Sequence, residues 1–188
     1  MASRRNGRIP REITPKSLES AALAYLQRYA TSTENLRTVL MRRVLRSAKA
    51  HHSDRAEGTA WVESIIVRYR DAGLLDDLAY AQGRAASLHR RGVSLRGIRA
   101  RLGAKGVAAD DIDAALAHLQ ETCENAEFEA ACNYARRRRL GPWRAEDRSE
   151  RRERDLAALA RQGFAYELAL RVVDADDATS LESESGSN

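Results

Sequence analysis

The sequence has few of the residues that β-sheet, membrane and secreted proteins rely on. In 188 residues it contains only 2 Phe, 2 Trp, 6 Tyr and 3 Pro, and Val and Ile occur singly, not in alternating runs, which argues against a β-sandwich or barrel. No apolar run approaches the roughly 18 residues of a membrane span. No apolar segment follows the Arg-rich start, as it would in a secretory signal. We therefore expect a cytoplasmic protein without a membrane partner.

Cysteine is also scarce. Cys123 and Cys132 are the only two, and a helix predicted over 121–139 holds them too far apart for a disulfide. They show neither a CxxC pattern nor a Cys–His spacing. We expect both to be reduced and packed in the core.

No catalytic or metal-binding pattern is evident elsewhere. His51 and His52 are adjacent in a polar segment, which does not produce the i, i+4 spacing of a metal-binding pair. Asp76 and Asp77 precede a helix, where a capping role is expected before an acid–base or metal role. Since a Gly-Lys-Ser/Thr phosphate loop is missing as well, we predict no catalytic residues, no metal and no cofactor, and hence no enzymatic activity.

Ala and Arg are abundant instead. There are 33 Ala, and 29 of the 32 basic residues are Arg. Both residues favour helices, so the composition predicts an all-α protein. The net charge of +5 is uneven: residues 1–173 carry +10 and residues 174–188 carry −5. The basic part can attract DNA or an acidic protein surface, whereas the acidic tail has too little apolar surface to order and is predicted to be disordered.

Helical periodicity and capping signals predict a series of short helices. A helix is predicted to start at Thr14-Pro15, and a capping box is predicted at Thr31 and Glu34. A polar loop is predicted over 47–58, and one continuous helix over 121–139. The predicted helix stops are Gly73, Gly92, Gly106 and Gly163. Similar segments follow one another: helix ends at Leu40, Leu102 and Leu159 are 62 and 57 positions apart. This repetition predicts an elongated array of three tandem three-helix units. The predicted divisions are a basic flexible arm (1–16), the three units (17–75, 76–120 and 121–173) and the acidic tail (174–188).

Several of these segments resemble a known family. They are Gly73-Leu74-Leu75-Asp76-Asp77-Leu78-Ala79-Tyr80-Ala81, Arg91-Gly92-Val93-Ser94, the positions Ile98 and Leu102, Lys105-Gly106-Val107, and Gly163-Phe164. Together they are similar to the bacterial RecX regulatory proteins over about residues 17–173. The chain departs from the family pattern in a longer, His-containing loop at 46–58, in Arg43-Val44 without the glycine, and in Gln162 where the other two units have a basic residue.

The resemblance implies a non-enzymatic modulator of the RecA recombinase. Proteins similar to this one bind along the groove of the RecA filament on single-stranded DNA and damp ATP hydrolysis, strand exchange and SOS co-protease activity. Repeated contacts of a monomer along such a groove would add avidity. The alternative is direct binding to single- or double-stranded DNA by helix-turn-helix-like units. However, the candidate helices offer Arg almost alone, not the Asn, Gln or Ser that would accompany it in base reading.

Basic side chains are the candidate partner-binding residues. On the helix predicted from Leu95 to Lys105, Arg96 and Arg99 fall on one flank of the apolar stripe, and Arg101 and Lys105 fall on the other. The alternatives are pairing with the nearby Asp110, Asp111 or Asp113, and, for the run 136–139, a favourable charge at a helix end. Tyr134 and Trp143 flank that run and could stack on bases or simply pack. The predicted contact residues are Arg91, Arg96, Arg99, Arg101, Lys105, Arg136, Arg137, Arg138 and Arg139; the predicted caps and turns are Asp76, Asp77, Gly106 and Gly163.

Overall fold

The structure, a computed structural model, describes residues 11–184. In that range the chain is all helical, as the composition predicts, and no helix is long and apolar enough to cross a membrane. It forms two compact units, Met1–Asp77 and Leu78–Asn188, here called the N-terminal and C-terminal units. A 3-10 turn covers Gly141–Trp143, and the α-helices are α1 (Pro15–Leu26), α2 (Thr33–His51), α3 (Arg55–Asp71), α4 (Asp77–Arg90), α5 (Leu95–Gly103), α6 (Ala109–Thr122), α7 (Ala126–Arg138), α8 (Arg148–Gln162), α9 (Tyr166–Val173) and α10 (Ala178–Glu184).

In the N-terminal unit, α1, α2 and α3 pack around one buried cluster. α1 starts where predicted: the Thr14 side chain accepts a hydrogen bond from the Ser17 amide, and Pro15 occupies the first helical position. Burial of each large aliphatic side chain contributes about 1.5–3 kcal/mol, so this cluster accounts for the association of the three helices. Its members are Leu18, Ala22, Leu36, Leu40, Val44, Val62, Ile65, Ile66, Tyr69 and Leu75.

The predicted polar loop over 47–58 is wrong. α2 continues through His51, and only residues 52–54 link it to α3. The Asp54 side chain caps α3 by accepting a hydrogen bond from the Ala56 amide at 2.7 Å. Gly58, the last residue of the predicted loop, lies buried in α3, where a Cβ would come within 2.7 Å of Val44 Cγ1. The glycine therefore permits a close approach of two helices.

The predicted capping box at Thr31 and Glu34 is also wrong. Ser32 is the cap of α2, and its hydroxyl accepts a hydrogen bond from the Asn35 amide at 3.2 Å. The first amide of α2, that of Thr33, donates a hydrogen bond to Asp77 Oδ1 at 2.7 Å. Asp77 thus caps the start of α2, a helix 44 residues away, although it is itself the first residue of α4.

The C-terminal unit contains two buried clusters. One is formed by α4–α6: Ala81, Ala85, Leu88, Val93, Ile98, Leu102, Val107, Ile112, Ala115, Leu116 and Leu119. The other is formed by α7–α10 and the chain between them: Phe128, Ala130, Ala131, Cys132, Ala135, Leu140, Leu156, Leu159, Phe164, Ala169, Val172, Val173 and Leu181. With the N-terminal cluster these follow the order of the three predicted units, whose exact division stays a prediction.

The helix predicted over 121–139 is interrupted. α6 ends at Thr122, Cys123 adopts an extended backbone, and α7 begins at Ala126. The two cysteines therefore lie on different elements: Cys132 is buried in α7, whereas Cys123 is only half-buried in the link. Burial raises the pKa of the Cys132 thiol to about 11.

The acidic tail is wrongly predicted as disordered over 174–184. Residues 178–184 form α10, because Leu181 is buried in the last cluster and basic side chains bind the acidic ones. Arg152 pairs with Asp174, and Arg171 pairs with Glu184. Residues 185–188 lie outside the described part. So does most of the predicted basic arm, at 1–10, whereas the Ile13 amide already donates to Ser47 Oγ.

Candidate functional site

Four of the predicted arginines converge on one cleft in the C-terminal unit. The cleft has a volume of about 450 Å³. Arg91 contributes from the turn after α4, Arg101 from the last turn of α5, and Arg137 and Arg138 from the last turn of α7. The remaining lining residues are Gly92, Val93, Tyr134 and Gln162. We call this site the arginine cleft.

A close backbone contact positions Arg91, in the turn after α4, and the arginines of α7. Gly92 has a φ of +74°, and a Cβ at this residue would lie 2.4 Å from the Tyr134 backbone nitrogen. Only glycine fits both the left-handed conformation and this approach. Beside it, Arg137 Nη1 donates a hydrogen bond to the Arg91 carbonyl oxygen at 3.1 Å. The turn after α4 is therefore held directly against α7.

α5, which carries Arg101, is attached by its first residues. The Ser94 hydroxyl accepts a hydrogen bond from the Gly97 amide at 3.0 Å and donates one to the Gln162 carbonyl at 2.6 Å. The Leu95 amide donates to Glu127 Oε2 at 2.8 Å. Burial raises the pKa of Glu127, although that hydrogen bond opposes the increase. α5 is thus connected at its start to both α7 and α8.

The cleft is strongly cationic. Among the described residues that line it, none is acidic. Within residues 11–184, no carboxylate forms an ion pair with any of the four guanidinium groups. All four arginines are exposed. The cleft therefore presents four charges of one sign to an incoming anion, and guanidinium groups bind carboxylates and phosphates with two parallel hydrogen bonds.

The other predicted residues of α5 lie outside the cleft lining. Arg99 pairs with Asp113 of α6, which is the structural alternative that the sequence left open. Arg96 is exposed and lies close to Gly163: its Nε would be 3.1 Å from a Cβ there. Lys105 is not helical, because α5 ends at Gly103, and it occupies the turn that Gly106 completes at a φ of +72°.

The basic run at the end of α7 is also divided. Arg136 donates to Asn133 Oδ1 at 2.9 Å and lies 3.9 Å from Glu182 of α10. Arg139 adopts a left-handed conformation as the C-cap of α7. Of the two aromatic residues flanking the run, Tyr134 lines the cleft, whereas Trp143 Nε1 donates to Glu182 at 3.2 Å.

Sequence reasoning missed two features of this region. Gln162 was noted only as a departure from the family pattern, and no local signal placed it in the cleft. The buried Asp155 was not singled out at all. It accepts hydrogen bonds from the Gly141 amide at 2.9 Å and from Arg144 Nη2 at 2.7 Å, and it fixes the chain that follows α7. The hydrogen bond to Asp155 raises the pKa of Arg144.

Comparisons with known proteins agree with one another. A family model described as the second three-helix domain of RecX matches residues 76–116. A protein of Myxococcus xanthus (strain DK1622), named Regulatory protein RecX, is 46% identical over 171 residues, covering 90% of each chain. One of the same name from Agrobacterium fabrum (strain C58 / ATCC 33970) is 34% identical over 155 residues, covering 82% of this chain and 80% of the relative. A crystal structure of regulatory protein RecX has the same fold, with a TM-score of 0.60 at 22% identity over 86% of this chain and 72% of the other. From this agreement of sequence and fold it follows that the chain belongs to the RecX family of regulatory proteins.

Proposed function

We propose that this protein binds the RecA filament on single-stranded DNA and restrains it, lowering its ATP hydrolysis, strand exchange and SOS co-protease activity. It acts as a cytoplasmic monomer and through binding, not through chemistry of its own. Membership of the RecX family and the sequence resemblance support this role. The arginine cleft is the observation that carries the proposal, because it offers a concave, cationic surface for an anionic partner.

Acidic side chains of RecA are the partner groups that suit the cleft. A guanidinium group is planar and always charged, and it matches a carboxylate with two donors. Exposed charges of one sign also steer an oppositely charged partner and raise its association rate. Because Arg91, Arg101 and Arg138 have no carboxylate partner within the described chain, they need not break an ion pair to bind one.

The remaining predicted arginines and lysine are proposed as secondary contacts. Arg99 and Arg136 already have neighbours, Asp113 for the first and Asn133 with Glu182 for the second. To contact the partner, each of these two arginines must give up its present neighbours, so each contributes less to the free energy of binding. The other secondary contacts are Arg96, Lys105 and Arg139.

Direct binding to DNA is the second candidate function. Tyr134 shares the cleft with the arginines, and an aromatic ring beside guanidinium groups can stack on a base while the arginines bind phosphates. Such binding would not depend on RecA and would weaken steeply with salt.

Sedimentation distinguishes the two functions. The full-length protein is mixed with RecA, single-stranded DNA and a non-hydrolysable ATP analogue near physiological salt, and in parallel with the DNA alone. We expect it to pellet with the filament and to stay in the supernatant with DNA alone. Equal pelleting in both samples would favour direct DNA binding, and pelleting in neither would contradict the proposed function.

A further inference from the structure

Three side chains of the types that bind transition metals meet in the C-terminal unit, at the link between α6 and α7. His89 lies in the last turn of α4, Cys123 in the link, and Glu129 in the first turn of α7. A ring nitrogen of His89, the Cys123 sulfur and a Glu129 carboxylate oxygen all lie within 4.8 Å of one another. The sequence predicted no metal, because residues so far apart match no ligand spacing. The fold nevertheless brings them together.

The histidine is buried, and one of its ring nitrogens is held by the backbone. His89 is only 2% exposed, and its Nε2 lies 2.6 Å from the Ala126 carbonyl oxygen. A carbonyl can only accept, so Nε2 carries a proton, and in the neutral ring Nδ1 is the nitrogen with the free lone pair. Histidines that bind metals commonly donate their other ring N–H to a backbone carbonyl in this way, which fixes the tautomer and the ring orientation.

The sulfur and the carboxylate are already close to the separation that a tetrahedral ion requires. Cys123 Sγ lies 3.2 Å from Glu129 Oε2. Bond lengths of about 2.3 Å to sulfur and 2.1 Å to oxygen give about 3.6 Å between these ligands in a tetrahedral zinc site. Cys123 is the C-cap of α6 and its backbone is extended, so rotation of its side chain can close the remaining gap to the histidine while its amide keeps the hydrogen bond to the Leu119 carbonyl.

We propose that His89, Cys123 and Glu129 bind one Zn²⁺ ion, with water as the fourth ligand. The thiolate and the carboxylate neutralise the dication, which suits a half-buried site. Nitrogen and sulfur ligands favour zinc over the oxygen-seeking Mg²⁺ and Ca²⁺. On binding, the thiol proton is released to solvent. The ion joins the ends of α4 and α6 to the start of α7 and so stabilises the helix that presents Arg137 and Arg138.

Cobalt(II) substitution tests the site directly. The full chain, without a polyhistidine tag, is treated with a chelator to remove bound metal. The chelator is then removed, and the protein is titrated with Co²⁺. We expect one equivalent to bind, with the visible bands of tetrahedral cobalt and a thiolate-to-cobalt charge-transfer band in the near ultraviolet, both lost when Zn²⁺ is added. Cys123→Ser removes the charge-transfer band, whereas the matched control Cys132→Ser keeps it. Glu129→Gln weakens Co²⁺ binding at least about tenfold, and His118→Gln does not.

Thermal unfolding gives a second readout that does not depend on RecA. Because Zn²⁺ binds the folded state, it raises the Tm of the wild-type protein, and the Tm rises with the logarithm of the free Zn²⁺ concentration once this exceeds Kd. Zn²⁺ leaves the Tm of Cys123→Ser unchanged. Circular dichroism establishes that each variant is folded; if Cys123→Ser does not fold, Glu129→Gln serves the same comparison. A cobalt spectrum without the charge-transfer band, or a band that survives in Cys123→Ser and disappears in Cys132→Ser, overturns the proposal.

Discussion

Arg137 donates a hydrogen bond from its guanidinium group to the backbone carbonyl of Arg91, 46 residues earlier in the chain, at 3.1 Å. The contact joins two segments that each carry a cleft arginine. It fixes their separation through the Arg91 backbone, and the Arg91 side chain stays exposed. The arginine cleft is therefore a product of tertiary packing, and its geometry can be altered at positions that bear no charge.

Gly92→Ala is expected to lower the free energy of unfolding by more than about 2 kcal/mol. The substitution combines a strained positive φ with a Cβ placed 2.4 Å from the Tyr134 nitrogen. Gly83→Ala in α4 is the matched control, because nothing lies within 4 Å of its Cβ position. It should stabilise the helix by up to about 1 kcal/mol. Urea unfolding measures both, and equal stabilities of the two variants would contradict this packing.

Asp77→Ala is expected to destabilise the N-terminal unit by about 1 kcal/mol. Its carboxylate accepts the Thr33 amide at the start of α2, and loss of such a cap exposes an unpaired amide. Asp77→Asn keeps an acceptor oxygen and should retain most of the stability. Chemical denaturation followed by circular dichroism provides the comparison. If Asn were as destabilising as Ala, the charge and not the hydrogen bond would be responsible.

Asp155→Ala is expected to lower the free energy of unfolding by about 1–3 kcal/mol. The substitution leaves the buried Gly141 amide without its acceptor and the partly exposed Arg144 guanidinium without its carboxylate. Asp174→Ala is the control, since Asp174 pairs with Arg152 at the surface, where an ion pair contributes far less. Thermal unfolding should show a large loss of Tm for the first variant and a small one for the second. Comparable losses would show that burial of Asp155 is not decisive.

The Asp174–Arg152 pair should add stability that depends on pH. Hydrogen bonds from Arg152 lower the pKa of Asp174 below its usual value. The contribution of the Asp174–Arg152 pair to the free energy of unfolding is therefore complete above the unfolded-state pKa of about 3.9. It is lost as the pH falls through the lower pKa of Asp174 in the folded state. The stability difference between wild type and Asp174→Asn, measured in urea at neutral and at acidic pH, should disappear in acid. A constant difference would exclude this linkage.

Local signals explain which parts of the fold the sequence could predict. The Thr14-Pro15 start of α1 depends on neighbouring residues only, and the composition was enough for the helical class. Asp77 shows the limit of such reasoning, because it caps a helix that begins 44 residues earlier. The acidic tail shows it too: α10 is ordered by burial of Leu181 and by distant arginines, none of which its own composition reveals.

The same limit applies to the cleft. The sequence identified Arg91, Arg101, Arg137 and Arg138 as basic candidates, but it grouped Arg101 with Lys105, grouped Arg137 and Arg138 with Arg136 and Arg139, and named Arg91 separately. Helical periodicity predicts the direction of a side chain from its own helix. It cannot predict which helix lies opposite, and the pairing of Arg99 with Asp113 depends on that packing.

Inhibition of RecA's single-stranded-DNA-dependent ATP hydrolysis by a cleft variant tests the account most directly. In this variant Arg91, Arg101 and Arg138 are replaced by Gln, and Arg137 is kept because it holds the Arg91 carbonyl. The control replaces Arg151, Arg154 and Arg161, which are exposed on α8 outside the cleft lining, and removes the same charge. We expect the cleft variant to need at least about tenfold more protein for half-inhibition, equivalent to about 1.4 kcal/mol, and the control to act as wild type. A folded cleft variant that inhibits at wild-type concentrations would contradict the account.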